Sequence, residues 1–160
     1  MAISSVNISA NLPAATAAGQ TEIGLRDEFS GAVPFRIIER VSLTGGASGS
    51  PADFTQKLPK NAVIKAYRIK AVGAHTNATA THVSIGTDGD ADAYAEIAVG
   101  SLDADNDSVA GLSDTASAAA LATEDTLRLT ATNGSGAAAG THTGTYDVAL
   151  FGYIIQDFPN

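Results

Sequence analysis

The sequence predicts an all-β protein: a single antiparallel β-sandwich domain, jelly-roll-like, with an extended N-terminal arm and at most one short helix. Two observations lead to this prediction. Short stretches with period-2 alternation of apolar and polar residues recur along the chain, and clusters of Gly, Asn, Asp and Ser separate them. We count seven or eight such strands, a number typical of a sandwich or jelly roll. The arm is predicted over residues 1–30 and the sandwich over residues 31–160.

The predicted arm is polar and rich in Ala and Thr, and Pro13 and Gly19 interrupt any helical pattern. One short strand is possible at Ser5–Leu12. Two interpretations are open for this segment: a frayed terminus, or an arm that docks on a partner.

The first strong strand pattern begins at Val33, in the stretch VPFRIIERVSL. Every second residue from Phe35 to Leu43 is expected to share a face, with Arg36, Ile38 and Arg40 on the other. A long strand is predicted over Val63–Gly73.

In that long strand, Tyr67, Ile69 and Ala71 share a face, and the regular alternation would place Lys65 among them. A charged ammonium does not fit a core. We therefore expect either a β-bulge near Lys65 or a side chain that extends its ammonium to solvent.

Further strands are predicted in ATHVSIGTDG, AYAEIAVGSL and DTLRLTAT. The best strand pattern closes the chain, in GTYDVALFGYII, where Tyr146, Val148 and Leu150 face one way. Phe151 and Tyr153 face the other way, either toward a neighbouring molecule or into a second buried layer. The Ala-rich segment Ser113–Thr126 is the one plausible helix.

Composition restricts the possible partners. The net charge is −8, with ten acids and no Lys or Arg between residues 71 and 127, so binding to a nucleic-acid phosphate backbone is not expected. The 31 Ala and 16 Gly predict a core of modest apolar area, which favours association with neighbours. No membrane span and no secretion signal are predicted, so synthesis in a cytoplasm is expected.

Alternating aspartates between Val83 and Ser108 raise the question of a cation site. Two triplets could direct oxygens at Ca²⁺, but Ala93 and Ser108 stand where a helix-loop-helix calcium loop needs Gly. A looser calcium site remains an alternative, and solvated turns are favoured. The candidates are Asp88, Asp90, Asp92, Asp103, Asp105 and Asp107.

No catalytic residue or organic cofactor is predicted. The acids lie in a Gly-rich stretch without the aromatic walls of a cleft, so two carboxylates with separated pKa values are not expected. The spacing of His75, His82 and His142 matches no zinc motif, and each is expected at the surface or at a strand end.

Three quoted stretches carry a resemblance: LPKNAVIKAYRIKAV, VSIGTDGDADAYAEIAVG and GTYDVALFGYI. Their order resembles structural proteins of tailed bacteriophages over residues 57–154. Gly86, Asp88, Gly89, Asp90, Asp92 and Tyr94 match the turn of that pattern. Ala93 departs from it, because the pattern often has Arg at this position.

The resemblance implies a virion component, first of all a head decoration (cement) protein on the outer capsid surface, assembled in the host cytoplasm. The implied partners are the major capsid protein and two further copies in a homotrimer. The alternative is a head- or tail-fibre domain that binds a receptor or glycan. We expect the less acidic arm and residues 33–70 to face the shell, and the acidic loops of residues 86–125 to point outward. Interface candidates are Arg36, Arg40, Lys57, Lys65, Phe151 and Tyr153.

Overall fold

The computed structural model describes residues 32–46, 49–77, 79–113 and 120–155. The predicted arm lies outside them. Contacts separate a compact unit, Pro34–Ile155, from a second unit of residues 1–33 and 156–160, nearly all of which is also outside. The strands are β1 (Ala32–Thr44), β2 (Ala52–Leu58), β3 (Ala62–Asn77), β4 (His82–Gly86), β5 (Ala95–Ala98), β6 (Ser108–Leu112), β7 (Asp125–Thr132) and β8 (His142–Ile155).

Two four-stranded antiparallel sheets form a β-sandwich, which confirms the predicted fold class. One sheet has the order β1-β8-β3-β6 and the other has the order β2-β7-β4-β5. Both contribute to one apolar core, in which alternate residues of β8 from His142 to Leu150 are buried. Its largest fully buried side chains include Tyr146, Leu43, Leu58, Ile64, Ile69, Ile85, Leu102, Leu127, Leu129 and Leu150.

Strand β1 follows its predicted alternation. Ile37, Val41 and Leu43 are buried, whereas Arg36 and Ile38 are exposed. In β8, likewise, Tyr146, Val148 and Leu150 are buried, as predicted. The period of two therefore assigns the core face of both strands correctly.

The bulge expected near Lys65 is present. The register between β3 and β8 shifts between Ile64 and Ala66, so that Val63 and Ile64 are both buried while Lys65 is exposed. The extra residue changes the facing of the strand, and Ile69 and Ala71 then point into the core.

One predicted element is not found over its described part, and one strand was missed. The helix expected over Ser113–Thr126 is absent from its described part: residues 120–124 are irregular and β7 begins at Asp125. Strand β6, at Ser108–Leu112, was not predicted. Its SVAGL sequence has few strand formers, and its pairing with β3 provides the stabilisation that local propensity lacks. Among the residues described, no helix is long and apolar enough to cross a bilayer.

Candidate interaction surface

The outward side of the β1-β8-β3-β6 sheet is a broad surface that we call the open face. Its side chains alternate with the core residues of the same strands. Ile38 on β1, Phe151 on β8 and Leu112 on β6 lie on it, with exposures of 54%, 42% and 83%. All large apolar side chains classed as exposed in the described parts of the chain belong to strands of this sheet.

Cross-strand pairing arranges the open face in rows. β3 pairs with both β6 and β8, so each row joins one residue from each of the three strands. The first row is apolar, the second carries one cation between alanines, and the third is polar and charged. The rows are Leu112–Ala66–Phe151, Ala110–Arg68–Ala149 and Ser108–Lys70–Asp147.

The small side chains in the middle of the sheet leave a shallow depression of about 240 Å³, open to solvent. Ile38 and Ala149 form its apolar part, and Arg68, Lys70 and Asp147 form its charged part. Such a mixture of apolar contact area and few polar groups is typical of surfaces that bind another protein.

The charge of the open face is opposite in sign to that of the whole chain. On the outward side of its strands lie Arg36, Arg40, Arg68 and Lys70 with one acid, Asp147, because Glu39 of β1 is on the core side. Arg40 donates two hydrogen bonds to Asp147, from Nε at 2.7 Å and from Nη2 at 2.9 Å. These bonds outweigh the slight burial of Asp147 and lower the pKa of its carboxyl.

The outward side of the second sheet is covered by the chain itself over its central strands, β4 and β7, whereas Thr55 on β2 and Ala98 on β5 are exposed. Ser84, Thr130 and Thr132 would be exposed there on a bare sheet, but they are buried. The loop after β7 folds back over them: Ala138 forms a β-bridge with Thr132, and the Gly136 backbone N–H donates to Glu96 Oε1 at 3.2 Å. On one side of the sandwich, the central strands β4 and β7 are thus covered by the chain, and the other side is the open face.

The six predicted interface residues do not form one cluster. Arg36, Arg40 and Phe151 lie on the open face. Lys65 and Tyr153 meet beside the bulge, where the ammonium lies 5.6 Å from the ring centroid. Lys57 lies on β2 in the other sheet and pairs with Glu124 at 3.1 Å.

Sequence reasoning missed four residues of the open face: Ile38, Arg68, Lys70 and Leu112. Ile38 carried a usable signal, because it is a large apolar residue at a position that the alternation assigns to solvent. Leu112 carried none, since β6 was not predicted.

The expected orientation of residues 33–70 toward the shell and of the loops of residues 86–125 away from it stays a prediction, and its two ranges do not each correspond to one sheet. β2 lies within residues 33–70 but belongs to the second sheet, and β6 lies within residues 86–125 but belongs to the open one. Strands that follow one another in the sequence therefore lie in different sheets.

The predicted calcium aspartates lie in two separate turns. Asp88 forms an ion pair with Arg128, and the turn that contains it joins β4 to β5. Asp105 accepts a hydrogen bond from the Gly73 N–H at 2.7 Å, and Asp107 accepts one from the Ala104 N–H at 2.9 Å. Over the described residues, no three acids or histidines come together as metal ligands.

A buried polar cluster was not expected. His142, the first residue of β8, lies at a strand end as predicted but is only 2% exposed. Its Nε2 forms a hydrogen bond with the Tyr146 hydroxyl, and its ring centroid lies 5.5 Å from that of His75. Burial, and secondarily the nearby His75, lower the pKa of His142, while burial raises the pKa of Tyr146 to about 12.

Similarity to solved structures defines the class of fold. A chain of the cyanophage Pam1 capsid asymmetric unit superposes with a TM-score of 0.52 at 19% identity, covering 78% of this chain and 86% of that one. The capsid of Ralstonia phage GP4 contains a second similar chain, with a TM-score of 0.41, 18% identity and the same coverage. No family model and no curated protein matches the sequence. The Pam1 match establishes a shared fold.

Proposed function

We propose that this chain is a structural protein of a phage virion, a decoration (cement) protein that binds the outside of the head and stabilises it. The observation that carries the proposal is the open face: the chain's own loop covers the central strands of one sheet, and the other sheet presents Ile38, Phe151 and Leu112 to solvent. Exposed apolar area of this kind typically marks a protein–protein contact.

Two further findings support a capsid role. The fold is shared with a chain of the cyanophage Pam1 capsid asymmetric unit. The sequence stretches that resemble tailed-phage structural proteins overlap β3, β4, β5 and β8. The partner is then the major capsid protein, and the open face is the side directed at the shell.

A homotrimer is proposed as the bound form. Closed threefold symmetry uses one heterologous patch three times, and three modest contacts with the shell act together through effective concentration. Light scattering coupled to size exclusion tests this directly: a trimer has about three times the 16.1 kDa chain mass, and a monomer at micromolar concentration contradicts the trimer.

The experiment for head binding uses heads purified without this protein. Added wild-type chain is expected to co-sediment with the heads, to appear as extra density on the outer shell, and to raise the temperature at which the heads lose their DNA. Ile38→Glu is expected to abolish co-sedimentation, because it places a charge in the apolar part of the depression.

Ala98→Glu is the matched control, since Ala98 is exposed on β5 of the other sheet. This variant is expected to bind like wild type. Failure of the wild-type chain to bind, or binding to tail fibres alone, would refute the decoration role. Equal loss in both variants would show that the open face is not the contact.

A further inference from the structure

We infer that the open face takes a surface of a different protein, and that this surface carries exposed carboxylates among apolar side chains. The inference rests on the proposed function for the identity of that protein, the capsid shell. It adds the chemistry of the partner's surface and excludes a second copy of this chain as the occupant.

The charge of the open face indicates that the partner surface carries carboxylates. Arg68 and Lys70 stand in adjacent rows of β3, and Arg36 and Arg40 stand on β1, so four cations share the surface with Asp147 alone. The rest of the described chain is strongly acidic, and none of its acids between residues 71 and 127 lies on these strands. Carboxylates on the partner would complement this pattern and reject cationic surfaces.

The exposed apolar residues indicate that the partner surface also carries apolar side chains. Phe151 and Leu112 lie in the row next to that of Arg68, and Ile38 lines the same depression as Arg68 and Lys70. A purely anionic partner such as a phosphate backbone would therefore leave these apolar side chains in water. A partner surface must supply apolar area as well. Burial of these side chains gives affinity, whereas the charged rows select the partner and set its orientation.

A second copy of this chain does not fit the open face through its described residues. Two open faces packed on each other would bring Arg68 and Lys70 against their counterparts, with one Asp147 on each side. The acidic turn at residues 103–107 offers carboxylates but no apolar contact, because its neighbour Leu102 is fully buried. Trimer contacts, where present, therefore use surfaces other than the open face.

Asp147 allows the sign of the partner's charge to be tested. It is the one acid of the open face, and its bonds to Arg40 neutralise part of the cationic surface. Asp147→Asn removes that negative charge. The variant should bind an acidic partner more tightly and a basic partner more weakly. Arg68→Glu/Lys70→Glu reverses two charges and should have the opposite effect.

The experiment measures the affinity of fluorescently labelled chain for heads purified without this protein, at 50 and 500 mM salt. At low salt we expect Arg68→Glu/Lys70→Glu to weaken binding by more than tenfold and Asp147→Asn to tighten it by about threefold. Wild-type affinity should fall with salt, because screening weakens exposed charge pairs. The neutral variant Arg68→Gln/Lys70→Gln should lose most of that dependence.

Thermal melts check that each variant is folded. If Asp147→Asn melts early, Ser108→Lys provides the same readout, because it adds a cation at an exposed position of the third row. Light scattering of wild type and Ile38→Glu completes the test, and we expect the same mass for both.

The outcomes separate the two proposals. Binding of wild type without opposite effects of the two charge changes would overturn the acidic partner and leave the decoration role intact. A smaller mass for Ile38→Glu would mean that a second copy occupies the open face, which overturns the inference. No binding of wild type to heads would refute the decoration role and, with it, the assignment of this partner.

Discussion

Glu39 on β1 accepts hydrogen bonds from backbone N–H groups of β2, in the other sheet. The alternation of β1 assigns Glu39 to the core side, and its carboxylate accepts hydrogen bonds from the Thr55 and Gln56 N–H groups at 2.6 and 3.1 Å. The register of β2 shifts at this place, so these donors need another acceptor. Burial raises the pKa of Glu39, but the hydrogen bonds outweigh it and lower the pKa overall.

His142 makes the stability of the protein depend on pH. Its pKa is lowered in the folded state, so the unfolded chain takes up a proton first as pH falls below about 6.5. The stabilisation is complete above that pH and is lost progressively below it, by at most about 1.4 kcal/mol per pH unit. We expect the free energy of unfolding, measured in urea, to fall between pH 7.5 and pH 5.

His142→Gln is the control for this titration. It removes the ionisable group and keeps a hydrogen-bonding side chain near Tyr146. The variant is expected to be less stable at pH 7.5 but to lose less stability on acidification. Parallel pH profiles for wild type and variant would assign the dependence to other groups.

At the scale of elements, the turn between β4 and β5 is held by its own backbone. The Thr87 N–H donates to the Asp90 carbonyl at 2.7 Å, and the Tyr94 N–H donates to the Ile85 carbonyl at 3.0 Å. The chain thereby folds closely over Gly86. Its aspartates contribute solubility and turn geometry.

Gly86 and Gly89 provide a matched pair in this turn. A Cβ at Gly86 would lie 2.1 Å from the Asp90 carbonyl oxygen, whereas one at Gly89 would meet nothing within 4 Å. We expect Gly86→Ala to lower the free energy of unfolding by about 1–3 kcal/mol, because backbone must move. Gly89→Ala should stay within about 0.5 kcal/mol of wild type. Equal effects in chemical denaturation would contradict this geometry.

The acidic turns are expected to be indifferent to calcium. Asp88 pairs with Arg128, and Asp105 and Asp107 bond backbone N–H groups, so their oxygens already have partners. We expect the melting temperature in 1 mM Ca²⁺ to equal that in EDTA within about 1 °C. A site with micromolar affinity would stabilise the protein by several kcal/mol and raise the melting temperature by several degrees.

At the scale of the whole molecule, the two sides of the sandwich are unequal. The loop after β7 buries Ser84 and Thr132, which share a hydrogen bond of 2.7 Å, on one side. The open face on the other side has no cover among the described residues. The two outward sides of the described sandwich therefore differ in the large apolar side chains that they present to solvent.

Ile37 and Ile38 test which side of β1 forms the core. Ile37 is buried and Ile38 is more than half exposed, although they are neighbours of identical chemistry. We expect Ile37→Ala to cost about 2–4 kcal/mol of unfolding free energy and Ile38→Ala less than about 0.5 kcal/mol. Denaturation of the isolated chain measures both. A large loss in Ile38→Ala would mean that the open face is covered in solution.

Features of the fold that depend on neighbours in sequence could be predicted, whereas features that depend on pairing between distant residues could not. The strand faces of β1 and β8 and the bulge at Lys65 followed from the alternation, because a period of two requires only local information. The helix expected at Ser113–Thr126 followed from Ala propensity, and the described part of that segment is not helical. Strand β6 had no such local signal, because it is stabilised by its pairing with β3.

The fold class, the core-facing sides of the strongest strands and the acidic character of the turns could all be predicted from the sequence, since each depends on neighbours along the chain. Only the tertiary structure decided that β6 joins the sheet of β1 and that the loop after β7 covers the other sheet. The same pairings place Arg68 and Lys70 in one depression with Ile38. Those outcomes depend on pairings between residues far apart in sequence, and no local pattern encodes them.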